Sequence, residues 1–391
     1  MIGKYYSFPA RCAGGEKRGL RMETRSYVTF ELMNRFMTDA FSGYGVPRKD
    51  ASVCADVILE SDRRGIESHG CNRFKPFYID RIADKSINPV TKIDVVRETP
   101  TTAVLDANNG LGMVAAKYAM DMCLEKARAQ GMAMVAVRNS NHYGIAGYWT
   151  NMAAHAGMIG MSGTNARPSI APTFSVENKL GTNPLSVAFP SDEDFPFSLD
   201  CATSITQRGR IEYYARSGQK TPEGMVIGPD GQAMTDSQEI LKALTSGQAA
   251  LTPLGGIGEE LAGYKGYGYA TVVEVFSAAL QAGSFLSALT GIDETGGKRP
   301  FNLGHWFLVV DTEAFMGVDS FKKTCGDILR ELRAAKKAPG KERIYTAGEK
   351  EYLVWLERRD KGVPLSSPVQ KEMMSVRDAL GLLYRFPFEQ E

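Results

Sequence analysis

Apolar and polar positions along the chain predict helices and strands in mixed order. Apolar residues recur at helical spacing over residues 30–44, 50–64, 111–130, 237–246, 269–289, 320–336 and 350–361. Short apolar runs predict strands over residues 101–105, 133–137, 158–162, 185–189, 197–202 and 306–311. The early strands alternate with helices. Those after residue 164 follow one another through loops, and this favours antiparallel pairing in a mixed α/β sheet.

The most informative stretch runs from Asn139 to Gly163. An apolar strand ends in polar residues and reaches His142, which small residues follow at once. A helix is predicted up to about Ala156, with Gly157 as its C-terminal cap and a second strand from Met158. Backbone N–H groups at such a helix start are unpaired, and small residues let an anion approach them. The stretch therefore predicts the floor of an anion-binding site.

Composition excludes several classes of protein. The 391 residues are 43% hydrophobic and 23% charged, as is usual for a soluble enzyme. Lys+Arg 46 against Asp+Glu 45 gives a net charge of +1, which favours neither nucleic acid nor an acidic membrane as partner. No apolar run reaches the roughly 20 residues of a membrane span. The six cysteines show no metal-ligand spacing, so we expect no metal site, reduced thiols and a cytoplasmic protein.

Residues 1–22 are basic and lack the apolar core of a secretory signal. We expect a flexible N-terminal extension. An organelle-targeting segment and a start at Met22 are the alternatives.

A glycine motif opens the predicted helix over residues 111–130. Gly110-Leu-Gly112-Met-Val-Ala115 fits the GxGxxA form of a dinucleotide-binding turn, and Arg138 lies near the tip of the next strand. The motif is short and common by chance. Close packing of the helix is the alternative explanation.

The first candidate for chemistry is Ser68-His69-Gly70 with Arg73. Histidine exchanges a proton near neutral pH, and arginine offers a fork of donors that fits a carboxylate. Four residues apart, His69 and Arg73 would share one helix face. They predict a site for a small acid whose neighbouring oxygen gains or loses a proton. The alternative is a helix-capping serine, a solvated histidine and a surface arginine.

Other polar residues are weaker candidates. His142 stands at a strand tip, where binding and structural roles are equally open, and His305 precedes a strand. Asp200 ends an apolar strand and could orient an imidazole, so Ser68, His69 and Asp200 also suggest a hydrolase. Adjacent residues rarely direct a hydroxyl at the neighbouring imidazole, and the chain has no G-x-S-x-G elbow. A nucleotide-binding protein without catalysis is a third hypothesis.

Taken together, the motifs resemble the type 2 malate/L-lactate dehydrogenase family, which includes ureidoglycolate dehydrogenase, diketogulonate reductase, sulfolactate dehydrogenase and a cyclic-imine carboxylate reductase. The resemblance covers about residues 29–382. It rests on Ser68-His69-Gly70-x-x-Arg73, Asn139-Ser-Asn-His142-Tyr-Gly144 with Ala146-Gly147-Tyr148, Gly157-Met-Ile-Gly160, Thr164-Asn165-Ala166, Leu180-Gly-Thr-Asn-Pro184, Leu199-Asp200-x-Ala202-Thr-Ser204 and Tyr264-Lys265-Gly266-Tyr-Gly268, in that order.

The resemblance implies a nicotinamide-dependent oxidoreductase with a non-Rossmann cofactor domain, built on a mainly antiparallel mixed sheet flanked by helices. This sets the GxGxxA interpretation aside. A helical domain formed from both chain ends would stand beside it. The expected bounds are 23–100 and about 305–391 for the helical domain and 101–304 for the cofactor domain. A homodimer is expected.

The resemblance also implies roles for individual residues. His69 would donate the proton to the carbonyl oxygen, with support from Ser68 and Asp200, and His142 would lie beside substrate and nicotinamide. Substrate would be bound by Arg73, which holds its carboxylate, and by Tyr78 and Asn165. NAD or NADP would be bound by His142, Tyr143, Gly144, Ile145, Ala146, Thr164, Asp200, Ala202, Thr203, Ser204, Lys265, Gly304, His305 and Trp306.

One position departs from the family. Where its members often carry a tyrosine four residues after the arginine, this chain has Phe77, with Tyr78 next. The expected substrate is a small 2-hydroxy or 2-oxo acid of the malate or lactate type. Ureidoglycolate, another 2-hydroxy acid or a cyclic imine is the alternative. The sequence does not choose between NAD and NADP.

Overall fold

The computed structural model describes residues 25–389, so the predicted extension 1–22 lies outside the described residues. The strands are β1 (Arg25–Val28), β2 (Asp94–Glu98), β3 (Thr102–Asp106), β4 (Met132–Ser140), β5 (Met158–Thr164), β6 (Leu185–Phe189), β7 (Phe197–Cys201), β8 (Val226–Ile227), β9 (Ala250–Leu251), β10 (Leu303–Asp311) and β11 (Val363–Ser366).

The helices are α1 (Phe30–Gly43), α2 (Arg48–Arg63), α3 (Cys71–Arg73), α4 (Asp80–Ala83), α5 (Gly112–Gln130), α6 (Ala146–His155), α7 (Arg208–Arg216), α8 (Ser237–Ser246), α9 (Gly263–Ala278), α10 (Val318–Ala334), α11 (Glu349–Lys361) and α12 (Ser367–Ala379). Among residues 25–389 no helix is long and apolar enough to cross a bilayer.

A seven-stranded sheet forms the centre of the molecule, in the order β2-β3-β4-β10-β5-β6-β7. Only β3 and β4 run parallel in it, joined through α5, and every other neighbouring pair is antiparallel. The predicted mixed, mainly antiparallel sheet is therefore confirmed. A purely parallel doubly wound sheet is excluded.

Helices cover both faces of this sheet. Successive side chains of the central strand β10 point to opposite faces, so the strand packs against helices on each side. Phe307 points towards α5 and α6, where Cys123 bonds to its carbonyl and the Trp149 ring lies 6.4 Å from its ring. The neighbouring Trp306 points the other way and lies 5.1 Å from Phe276 of α9. The sheet is thus the middle layer of three.

The two ends of the described chain pack together, as predicted. Strand β1 pairs antiparallel with β11, and the ring of Phe36 in α1 meets the rings of Tyr384 and Phe386 edge-on at 5.5 and 5.1 Å. The C-terminal segment had no predicted element, yet it forms β11 and α12. Its apolar residues become recognisable as core only through this long-range pairing.

The predicted helix over residues 269–289 is wrong in its position. Helix α9 begins at Gly263, inside the glycine-rich segment, and ends at Ala278. A Cβ on Gly263 would lie 2.1 Å from the carbonyl oxygen of Gly256, and one on Gly266 would lie 2.2 Å from that of Leu254. These glycines are therefore present because a loop backbone packs directly on the helix.

The central sheet crosses both predicted domain boundaries. Strand β2 lies within 23–100, and β10 extends to Asp311 although the cofactor domain was expected to end at 304. The division into two domains stays a prediction. Strands β2 and β10 both belong to the central sheet.

Candidate functional site

The segment carrying His69 and Arg73 is a sequence of short turns, so their predicted place on one continuous helix is wrong. A 3₁₀ turn spans Glu67–His69, α3 spans Cys71–Arg73, and a π-helix follows at Phe74–Ile79. Gly70 separates the first two because a Cβ there would lie 2.1 Å from a carboxylate oxygen of Asp62.

Asp62 anchors this break in the helix. Its carboxylate accepts the backbone N–H of Cys71 at 2.8 Å, at the start of α3. Burial raises the pKa of Asp62 to about 7, against the lowering effect of that hydrogen bond. Its role as a buried anchor has no short-range signal, because Cys71 meets it only in the folded chain.

His69 is half-buried and has two close polar neighbours. Ser68 Oγ lies 3.0 Å from His69 Nδ1, and the His69 ring lies 5.6 Å from the His142 ring with an interplanar angle of 23°. Burial, followed by the charge of Arg73, lowers the pKa of His69 to about 4. The imidazole is therefore neutral at pH 7 in the free protein and needs an anion nearby to become a proton donor.

Arg73 is oriented by two contacts. Its Nε donates to the carbonyl oxygen of Ser68 at 2.7 Å, and its guanidinium lies 4.3 Å from the centre of the Phe77 ring. Among the described residues its two terminal nitrogens have no hydrogen-bond partner. Phe77 also meets the His142 ring at 5.6 Å, so it fills the space between Arg73 and His142.

The tautomer of His142 follows from its partners. The backbone N–H of Gly144 points to Nδ1 at 3.3 Å and can only donate, so Nδ1 is an acceptor and the ring proton sits on Nε2. Tyr78 Oη lies 2.6 Å from the same nitrogen and therefore donates to it. Burial lowers the pKa of His142 well below its usual value, and the nearby His69 and Arg73 add to this.

Tyr78 is thus placed behind His142 and is fully buried. The sequence named Tyr78 as a substrate contact, and that role stays a prediction. Its link to His142 was missed, because the two residues are 64 positions apart.

Asp200 lies beside the start of α6. Its carboxylate accepts the backbone N–H of Gly147 at 2.7 Å, at the start of α6, and it borders a cavity of about 250 Å³. Burial raises the pKa of Asp200 to about 6. In the described structure its hydrogen bond is to Gly147, and no contact joins it to His69.

The positions of Ser68, His69 and Asp200 test the hydrolase hypothesis. The objection that Ser68 would not meet the neighbouring imidazole is wrong, since Ser68 Oγ does approach His69. A Ser68–His69–Asp200 triad is nevertheless absent from the described residues, because Asp200 bonds to the α6 start instead.

Several residues predicted to bind ligand use their side chains inside the protein. His305 is fully buried, with Nδ1 2.7 Å from Thr164 Oγ1, Nε2 2.8 Å from Ser140 Oγ, and its ring stacked 4.4 Å from Tyr143. Asn165 is also fully buried and bonds to Gly304, Glu274 and Ser284. Both side chains are satisfied by protein groups, and their roles as ligand contacts stay predictions.

Other predicted cofactor residues carry buried polar atoms without a partner. Ser204 Oγ and Trp306 Nε1 are both buried and accept or donate no hydrogen bond within the described residues. Thr203 Oγ1 donates to the carbonyls of Thr182 and Asn183, whereas Lys265 is exposed beside Tyr264. A buried polar atom without a partner is costly, so Ser204 and Trp306 fit a polar ligand. Gly144, Ile145 and Ala146 lie between the end of β4 and the start of α6, and Ala202 follows β7.

The GxGxxA motif has a structural explanation. A Cβ on Gly112 would lie 1.9 Å from the carbonyl oxygen of Asn141, at the end of β4. The glycine therefore allows α5 to pack directly on the strand tip that leads to His142. Protein backbone fills the space beside Gly112. The motif therefore serves close packing of the helix, which was the alternative to a dinucleotide-binding turn.

The chain is similar to known proteins over most of its length. The profile of the family described as malate/L-lactate dehydrogenase matches residues 28–374. A malate dehydrogenase of Pyrococcus horikoshii is 40% identical, over 94% of this chain and 99% of that protein. An L-sulfolactate dehydrogenase of Methanocaldococcus jannaschii is 35% identical, over 90% of this chain and 96% of that protein.

A solved structure is similar as well. The crystal structure of malate dehydrogenase from Entamoeba histolytica superposes with a TM-score of 0.89 at 42% identity, over 93% of this chain and 100% of that one. Sequence and fold thus agree over nearly the full length of both chains. The chain therefore belongs to the malate/L-lactate dehydrogenase family.

Proposed function

We propose that the protein transfers a hydride between NAD or NADP and a small 2-hydroxy or 2-oxo acid, with malate and oxaloacetate as the first pair to test. The observation that carries the proposal is the grouping of two imidazoles and a guanidinium. The rings of His69 and His142 lie 5.6 Å apart, and Arg73 lies over Phe77 beside them. Two of the relatives named above are malate dehydrogenases.

Each group has a defined task in this reaction. The guanidinium of Arg73 binds the carboxylate next to the reacting carbon through its terminal nitrogens. His69 gives a proton to the carbonyl oxygen in reduction and takes it back in oxidation. Ser68 holds the His69 ring, and His142 offers its Nε2–H to the same oxygen, where negative charge develops.

A nicotinamide group supplies or accepts the hydride when it is bound. The unpartnered Ser204 and Trp306 fit such a polar ligand, and Gly144–Ala146, Ala202 and Lys265 complete the set that would hold it. The bound carboxylate also brings negative charge next to His69, which offsets the lowering of its pKa by burial and by Arg73.

A cytoplasmic homodimer is part of the proposal. Helix α9 exposes an apolar stripe at helical spacing, with Tyr269, Val272, Val275 and Phe276 between 37% and 58% exposed. A continuous apolar stripe on a surface helix is typical of a protein interface. Light scattering coupled to gel filtration tests it, and a monomeric mass contradicts it.

The test of the activity is a panel of 2-oxo acids, including oxaloacetate and pyruvate, assayed with NADH and with NADPH by absorbance of the reduced nicotinamide. We expect turnover of at least one acid. His69→Ala should lower kcat by ~10²–10⁴-fold, the usual contribution of a general acid, and leave cofactor affinity nearly intact. Tight cofactor binding without turnover of any acid would favour the non-catalytic hypothesis instead.

A further inference from the structure

His305 contacts the residues on both sides of His142. Its Nε2 lies 3.1 Å from the carbonyl oxygen of Asn141, and its ring stacks on the ring of Tyr143, with 4.4 Å between the centroids and an interplanar angle of 8°. His305 is fully buried, and Asn141 and Tyr143 are each only 1% exposed. The backbone that carries His142 is therefore held on each side by one side chain from a distant strand.

A β-bulge in β4 lies directly before this contact. Leu303 of β10 pairs with Ser140 and His305 pairs with Val137, so two residues of β4 stand opposite Gly304 alone. One of the two is Asn139, whose φ of +52° is left-handed. Bulges bend a strand and redirect its side chains, and they are frequent beside active sites. Beyond the bend, Ser140 Oγ lies 2.8 Å from His305 Nε2, so the ring of His305 contacts the strand end that leads to His142.

The tautomer of His305 follows from its hydrogen-bond partners. A carbonyl oxygen can only accept, so the approach of Asn141 places the ring proton on Nε2. Nδ1 then accepts from Thr164 Oγ1, which lies 2.7 Å away. Burial lowers the pKa of His305 to about 3, against the raising effect of backbone hydrogen bonds, so the ring is neutral at pH 7. His305 thus donates from one nitrogen and accepts at the other.

The start of β10 is itself fixed by buried contacts with α9. The side-chain oxygen of Asn165 accepts the Gly304 N–H at 2.8 Å, and its amide nitrogen lies 3.4 Å from a carboxylate oxygen of Glu274 in α9. A Cβ on Gly304 would lie 1.6 Å from the carbonyl oxygen of Ser277, so the strand backbone packs directly on the helix. A buried polar network with its partners in place is rigid. His305 therefore has a fixed base from which to hold the residues around His142.

We propose that His305 is a positioning residue, which sets the place and orientation of the His142 ring by donating to Asn141 and stacking on Tyr143. The inference rests on the proposed function, in which His142 offers its Nε2–H to the reacting oxygen. A displacement of about 1 Å at a reacting group can lower a rate by a factor of about a hundred. His305 thus contributes to the reaction through His142, without contact to the substrate.

The first measurement is the NMR spectrum of the histidine ring nitrogens, recorded on the folded protein without substrate. The chain has four histidines, so single substitutions assign every signal. In the wild type we expect His142 and His305 to be neutral and protonated at Nε2. His305→Asn removes both the donor to Asn141 and the stack on Tyr143, and should shift the His142 signals. His305→Gln keeps an amide donor at the greater reach and should restore them in part.

Thr164→Val and Thr150→Val form a matched pair that decides the question if His305→Asn does not fold. Each removes one buried hydroxyl, since Thr150 Oγ1 lies 2.7 Å from Ser186 Oγ. Only Thr164→Val takes away the donor to His305 Nδ1. The His142 signals should move in Thr164→Val and stay in place in Thr150→Val.

Steady-state kinetics and cofactor binding give the second measurement. We expect kcat of His305→Asn to fall by ~10–100-fold, with little change in KM for the acid or in Kd for the cofactor. His142 signals that stay in place in folded His305→Asn overturn the positioning role, and a weaker cofactor Kd in that variant would then assign His305 to the cofactor site. If the wild type turns over no acid while the His142 signals still move, the positioning role stands and the proposed activity fails.

Discussion

Tyr78 donates its phenolic hydrogen to Nδ1 of His142 across 2.6 Å, from a fully buried position. Burial raises the pKa of Tyr78, so the hydroxyl keeps its proton and acts as a donor. With the Gly144 N–H directed at the same nitrogen, the tyrosine places the ring proton of His142 on Nε2. Gly144 and Tyr78 together therefore leave Nε2 as the ring nitrogen of His142 that can donate.

Tyr78→Phe should weaken catalysis while leaving the fold intact. The ring would keep its packing against Phe41, and Gly144 would still donate to Nδ1. Loss of one net hydrogen bond predicts a fall in kcat/KM of ~3–10-fold, measured by steady-state kinetics. Tyr384→Phe is the matched control, since it removes a hydroxyl bonded to Asp39 at 2.5 Å. An equal loss in both variants would contradict a specific role for Tyr78.

Binding of an anionic substrate analogue should take up a proton. His69 has a pKa of about 4 in the free protein, lowered by burial and then by Arg73, so it is neutral at pH 7. An anion bound to Arg73 raises that pKa, and the imidazole gains a proton from solvent. Calorimetry in buffers of different ionisation enthalpy should detect up to about one proton per site. The uptake should vanish in His69→Asn, and a buffer-independent enthalpy in the wild type would contradict it.

Arg73→Lys should raise KM for the acid and change kcat less. The lysine ammonium keeps the charge but cannot form the two parallel hydrogen bonds of a guanidinium, nor stack on Phe77 as the guanidinium does at 4.3 Å. We expect an increase in KM of ~10-fold or more, since each 1.4 kcal/mol is a factor of ten. A KM equal to that of the wild type would place Arg73 outside the substrate pocket.

Asp62 should make stability depend on pH. Burial raises its pKa to about 7, from 3.8 in an unfolded chain. The folded protein therefore retains a proton that the unfolded chain releases, so the stabilisation from this group is complete below about pH 4 and is lost as the pH rises through about 7. In Asp62→Asn this titration is absent, while an oxygen still accepts the Cys71 N–H.

The comparison is made by denaturant unfolding at several pH values. The unfolding free energy of the wild type, relative to Asp62→Asn, should decrease across this window by at most about 1.4 kcal/mol per pH unit. A constant difference between the two proteins from about pH 4 to about pH 7 would mean that Asp62 titrates normally.

Gly144→Ala should destabilise the protein for two separable reasons. Gly144 has φ +84°, which L side chains rarely adopt, and a Cβ there would lie 2.3 Å from Cγ1 of Val57. The two effects together predict a loss of about 2–4 kcal/mol in the free energy of unfolding. Val57→Ala in the same chain should recover part of it by removing the clash. Gly218→Ala is the control for backbone strain alone, since φ is +64° and nothing lies within 4 Å.

Local patterns predicted much of the framework, because helix periodicity, capping glycines and apolar runs act over a few neighbouring residues. Helix Ser237–Ser246 and strand Leu185–Phe189 match the predictions residue for residue. Helix α9 and the C-terminal strand β11 were misplaced or missed, since their residues are specified by a loop backbone and by β1, far away in sequence.

Sequence by itself determined the family, the central sheet and the chemical types present near residues 68–73 and 139–147, because these are carried by contiguous motifs. Tertiary structure alone decided which groups meet. In the folded chain Tyr78 contacts Nδ1 of His142, and Asp200 bonds to the start of α6. His305 and Asn165 are buried, and a cavity lies between Ser68 and Arg210. The reason is physical: burial, pKa and hydrogen-bond partners depend on distances in space between residues that sequence spacing does not fix.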